Sequence, residues 1–162
     1  MSAGSVPRTI PGTDNRVLQV CRLLNRHGVR YLLAGGVAAN LHGSVRATKD
    51  VDVLVPKDLD NTTRLLEALA ELPYAVAREL DPRQVAGGPI TIVGDDPRVD
   101  ILTVAWDVSY EQAEPHKQVR TILGVEVPYL SRADLIKSKQ TGRPSDLADI
   151  QALSPQGATH DE

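Results

Sequence analysis

The chain has 162 residues, a formal net charge of −3, 41% apolar residues and 24% charged residues. That is the profile of one globular domain. A mildly acidic balance with no Phe, one Trp and four Tyr excludes a broad basic surface for nucleic acid and an aromatic platform for single strands. A single cysteine, Cys21, excludes an intrachain disulfide and a cysteine-cluster zinc site. No apolar run reaches the roughly 20 residues of a membrane span. The first residues lack the apolar stretch of a signal peptide, so a cytoplasmic location is expected.

Residues 1–12 carry two Pro and two Gly without periodicity and read as a flexible lead. Residues 154–162 read as a flexible tail, leaving a single domain over 13–153. Asp14 is a fitting N-cap for a first helix, with Val17, Leu18, Val20, Cys21 and Leu24 near one face and His27-Gly28 at its end. VRYLLAG (29–35) reads as a buried strand. Gly35-Gly36 then turns the chain into a short helix over 37–43. A strand over 50–55 stops at Pro56. Asp58 or Asp60 caps a helix carrying Leu65, Leu66, Leu69 and Leu72.

Residues 74–80 read as extended. ITIV (90–93) and VDILTVA (99–105) form a hairpin across a GDDP turn. A short irregular helix is expected over 107–115, and two strands flank Gly124 within 119–130. Ser131 caps a helix to about residue 141, and Pro144 opens a last one. The fold class is therefore mixed α+β, a mixed β-sheet flanked by helices.

The most informative segment is AGGVAANLHGSVRATKDVDVLV (34–55). Asp50 and Asp52 leave the same face of a strand, about 6–7 Å apart at Cα, while Val51, Val53 and Val55 face the other way. Paired carboxylates at a strand mouth need a cation, a shared proton or full solvation. Asp100 sits in another apolar strand. If the two strands are neighbours, three carboxylates converge, and such a set suits one or two Mg²⁺ ions. A magnesium pair in turn suits in-line phosphoryl or nucleotidyl transfer. An EF-hand loop would need an oxygen ligand at Leu54 and is excluded. The Gly35-Gly36 turn opens a helix whose backbone N–H groups suit a phosphate.

This combination resembles the DNA polymerase β-type nucleotidyltransferase superfamily, with its palm-like fold. Within it, the chain is similar to the small bacterial AbiEii-like or minimal nucleotidyltransferases of toxin–antitoxin loci. The matching segments are LLAGG (32–36), LHGSVRATKDVDVLV (41–55), RVDIL (98–102) and DLIKSKQTGRPSDLADIQAL (134–153). The resemblance implies that Asp50, Asp52 and Asp100 bind metal and serve catalysis. It implies that Gly35 and Gly36 contact phosphate. It implies that Arg46 reaches a triphosphate, and that Lys139 and Arg143 match basic positions that neutralise phosphates.

The resemblance further implies Mg²⁺ and an NTP co-substrate. The implied activity moves a nucleoside monophosphate to a hydroxyl acceptor, with release of pyrophosphate. That acceptor is RNA (tRNA included), protein or a small molecule, and a cognate antitoxin is the expected partner. Many members carry Gly-Ser where this chain has Gly35-Gly36, so only backbone donors remain. A binding or regulatory module that keeps the fold without the activity is the alternative. A metal-dependent phosphohydrolase would need only the same carboxylates.

Overall fold

The structure, a computed structural model, describes residues 15–44 and 47–139. The expected cap at Asp14 and the expected last helix after Pro144 lie outside them. Helix α1 (Asn15–Arg26) buries Val17, Leu18, Val20, Cys21, Leu23 and Leu24, the stripe its 3.6-residue period lays on one side. Gly28 ends it at φ +67°, and the Val29 N–H reaches back to the Leu24 carbonyl at 3.0 Å. That left-handed position favours glycine.

Strand β1 (Leu32–Ala34) is shorter than expected, because Gly35 already belongs to helix α2 (Gly35–Leu41). Strand β2 (Asp50–Leu54) follows, with Val51 and Val53 buried and Asp50 and Asp52 partly exposed. Helix α3 (Leu59–Leu69) is capped by Asp58, whose carboxylate accepts from the Asn61 N–H. Residues 74–80, expected to be extended, instead contain a 3₁₀ turn (Val76–Glu79), followed by helix α4 (Pro82–Gly87). The Asp95 carboxylate accepts from the N–H groups of Tyr74, Val76 and Asp96. This anchors the turn around Ala75, which has φ +50°.

Strands β3 (Ile90–Val93) and β4 (Arg98–Leu102) form the expected hairpin. Helix α5 (Tyr110–Ala113) opens on a capping box between Ser109 and Gln112. Strands β5 (Gln118–Ile122) and β6 (Val125–Tyr129) flank Gly124. Helix α6 (Arg132–Ser138) is capped by Ser131. His27 and His42, expected at helix C-termini, do sit there, but each has a specific partner. His27 bonds Glu71 at 2.6 Å and His42 bonds the Leu130 carbonyl at 2.8 Å.

The six strands form one mixed sheet in the order β3-β4-β2-β1-β6-β5. The β2–β4 and β1–β6 pairs are parallel, the other three antiparallel. Helices flank the sheet, α1 against β6 and α3, and α2 against β1 and β2. Leu18, Leu24, Leu32, Leu33, Leu54 and Leu65 are fully buried. Each contributes about 1.5–3 kcal/mol by burial. No helix of the described residues is long and apolar enough to cross a membrane.

Candidate active site

The parallel β2–β4 ladder sets Asp52 beside Asp100, and Asp50 beside Arg98. On its other side Asp52 pairs with Ala34 of β1, while Asp100 pairs with Ile92 of β3. Register partners on neighbouring strands face the same way, about 4.7–4.9 Å apart. One row therefore crosses the sheet as Ile92, Asp100, Asp52, Ala34. The alternation expected from sequence is present, with Val51, Val53 and Val55 buried on the opposite side of β2.

Burial pushes the Asp52 carboxyl up to about 6, and the charges of Asp100 and Asp50 push the same way. Lys139 and Arg98 act against them. Asp100 is 8% exposed and carries its own counter-ion. Arg98 Nε donates to Asp100 Oδ1 at 2.9 Å, and Arg98 Nη2 donates to Oδ2 at 3.2 Å. The same guanidinium stands 3.8 Å from Asp50 Oδ2.

Gly35 closes over Asp52. It has φ +60°, and a Cβ added there would overlap Asp52 Oδ2. Glycine is needed twice at this position, for its backbone angle and for the close approach. Gly36 packs on Thr48 instead, where a Cβ would meet Oγ1 at 3.1 Å. Ala34, the N-cap of α2, makes no side-chain cap bond.

Gly35, Asp52, Asp100 and Lys139 line one cleft of about 320 Å³, with Trp106 also on its wall. Lys139 enters it from the end of α6 and is 8% exposed. Asp50 and Gly36 border this cleft without lining it. Arg46 and Arg143 lie outside the described residues. Two residues of the site were not picked out from sequence. Arg98 was legible as a cation two places before Asp100 on one strand. Trp106 is the only tryptophan of the chain.

As the side chains stand, no three His, Cys, Asp or Glu among the described residues converge closely enough to hold a metal ion. Arg98 occupies Asp100 and stands beside Asp50 in their place. The donors nevertheless fit Mg²⁺ chemically. They are carboxylate oxygens, and the half-buried Asp52 carboxylate lies among the like charges of Asp100 and Asp50, a condition that a cation relieves.

The mixed sheet brings in-register carboxylates on adjacent parallel strands against a glycine turn. The family model of the aminoglycoside-2''-adenylyltransferases matches residues 16–153, and the chain belongs to that family. Among solved structures, it is similar to an antigenic nucleotidyltransferase-like protein from Paracoccidioides brasiliensis. That pair has a TM-score of 0.49 and 19% identity, over 85% of this chain and 73% of the other. No curated protein matches the chain.

Proposed function

We propose that this chain, as a single cytoplasmic domain over 13–153, transfers a nucleoside monophosphate from an NTP to a hydroxyl. The acceptor is a small polyhydroxylated compound, as the name of its family suggests. The observation that carries the reading is the Asp52–Asp100 register pair in a cleft floored by Gly35 and walled by Lys139. In the reaction the acceptor oxygen forms a bond to the α-phosphorus while the bond to pyrophosphate breaks. The acceptor proton leaves to a carboxylate, that of Asp100 in this reading, and then to water. Asp50, Asp52 and Asp100 would hold Mg²⁺, which when bound lowers the acceptor's pKa and steadies the leaving pyrophosphate. Backbone N–H groups at Gly35-Gly36 and the Lys139 ammonium bind phosphate oxygens. Arg46 and Arg143 are proposed to add cationic contacts to the triphosphate.

The test is incubation with each α-labelled NTP, Mg²⁺ and, separately, an aminoglycoside panel, total RNA and total protein. Label should pass to an aminoglycoside-type acceptor with release of pyrophosphate, and Asp52→Asn should abolish it. Continued transfer by that variant would overturn the assignment. Label on RNA or protein instead would favour the AbiEii-like reading, with a cognate antitoxin as partner. Release of free phosphate would point to a phosphohydrolase. One observation favours a second reading, a nucleotide-binding module without activity. Arg98 already pairs with Asp100 and stands beside Asp50. Calorimetry separates the two, since such a module binds NTP without turnover.

A further inference from the structure

We infer that the sheet edge beside Asp100 is the acceptor's binding shelf, built from Ile90, Ile92 and Trp106, and that it selects hydroxyl compounds carrying an apolar ring or face. Three large apolar side chains stand bare there, Ile90 at 50%, Ile92 at 53% and Trp106 at 60% exposure. Their exposure is one-sided, because Val93 on the opposite side of β3 is buried and Thr91 partly so. Ile92 pairs with Asp100, and Ile90 pairs with Leu102. Ile90, Leu102 and Trp106 all line the cleft that holds Asp52 and Asp100. Exposed apolar side chains beside a polar cleft suit a ligand that pairs an apolar face with polar groups.

Trp106 adds a second, independent observation. It occupies a two-residue turn closed by the reciprocal hydrogen bonds of Ala105 and Val108, at 2.9 and 3.0 Å. Its φ is +60°. The first central position of such a turn favours glycine, and a bulky side chain there is strained. Strain of this kind persists where the side chain serves a site.

In-line geometry decides which reactant the shelf receives, and this step rests on the transfer reading above. Attacking and leaving oxygens lie on opposite sides of the phosphorus. The phosphate-binding turn at Gly35 lies beyond Asp52 on the β1 side. The shelf lies beyond Asp100 on the β3 side. Pyrophosphate leaving toward Gly35 therefore puts the incoming hydroxyl over β4 and β3.

Trp106, as the only tryptophan, reports on the shelf by its own emission. The experiment titrates the full chain with phenyl β-D-glucoside and with methyl β-D-glucoside, which offer the same hydroxyls. The phenyl compound should shift the emission with half-saturation about tenfold below the methyl compound. Ile92→Ser, at an exposed position with Trp106 intact, should remove most of that preference without moving the melting temperature. By calorimetry Trp106→Gly, which relieves the turn, should remove it too. Equal half-saturation for the two glycosides would overturn the shelf. So would displacement of the phenyl compound by Mg²⁺–ATP, which would give the shelf to the nucleobase. Repeating the titration on Asp52→Asn separates the two readings. A preserved preference in a chain that transfers nothing leaves the shelf standing while the transfer reading fails. Transfer by the parent chain without any preference sinks the shelf alone.

Discussion

Arg98 grips Asp100 with two parallel hydrogen bonds, at 2.9 and 3.2 Å, from two residues earlier on the same strand. The two side chains share a face of β4, and the guanidinium also leans toward Asp50 on β2. Arg98 is thus a built-in cation for a cluster of three carboxylates, and the cluster raises its own pKa in return. Arg98→Gln should lower the melting temperature in metal-free buffer, because carboxylate repulsion is then uncompensated. Added Mg²⁺ should raise the variant's melting temperature more than the parent's. Equal shifts in the two proteins would refute the linkage.

Asp52 carries a measurable pH signature. Its carboxyl rises from 3.8 to about 6 in the fold. Between those values the folded chain holds a proton that the unfolded chain has released, so stability falls as pH climbs from about 4 to 6 and stays lower above that. The shift of roughly two units corresponds to about 3 kcal/mol at most. Asp52→Asn should therefore melt roughly 5–10 °C higher at pH 7.5 in metal-free buffer, and the difference should vanish near pH 4. A constant difference at both pH values would contradict this account.

Removing the positive charge of Lys139 tests the same site from its other wall. Lys139 opposes the upward push on Asp52. Lys139→Met should move the Asp52 titration midpoint further upward, as read by carboxyl-carbon NMR. An unchanged midpoint would mean that Lys139 does not act on this carboxylate.

Gly35→Ala should be the most damaging glycine change near the cleft. It strains a φ of +60° and drives a Cβ into Asp52. The backbone part alone costs about 1–3 kcal/mol. Gly36→Ala asks only for a few tenths of an ångström from Thr48 and should cost less. Denaturant midpoints of the two variants decide the order.

Asp95→Ala removes the acceptor for three backbone N–H groups, those of Tyr74, Val76 and Asp96. Unmade bonds of this type cost about 1–3 kcal/mol. Asp95→Asn retains an acceptor oxygen and should recover part of the loss. Equal stability of the two variants would show that the contacts are of no consequence.

The carboxylate face of β2 was legible because a strand's period of two dictates it, and Val51 and Val53 mark the opposite side. The same holds for the hairpin of β3 and β4, whose GDDP turn is local. Residues 74–80 were misread because their turn is held by Asp95, some twenty positions later, which no local pattern displays. The Asp81-Pro82 start of α4 was a usable signal that was not read. That Asp100 falls level with Asp52, rather than one pair away, depends on non-local register. Arg98 acquired a role only through that register. Trp106 was noted only as one of few aromatics, since nothing in its neighbours announces a positive φ.

Strand β1 is enclosed on one side by β2 and on the other by β6, with Leu33 opposite Tyr129. During synthesis the ribosome releases residues 32–34 long before residues 125–129. The two carboxylate strands and the β3–β4 hairpin can pair while β1 still lacks its second neighbour. Lys139 emerges later still. A nascent chain thus assembles its carboxylates with Arg98 already among them, and Lys139 brings the second cation to the cleft only as the final described helix docks.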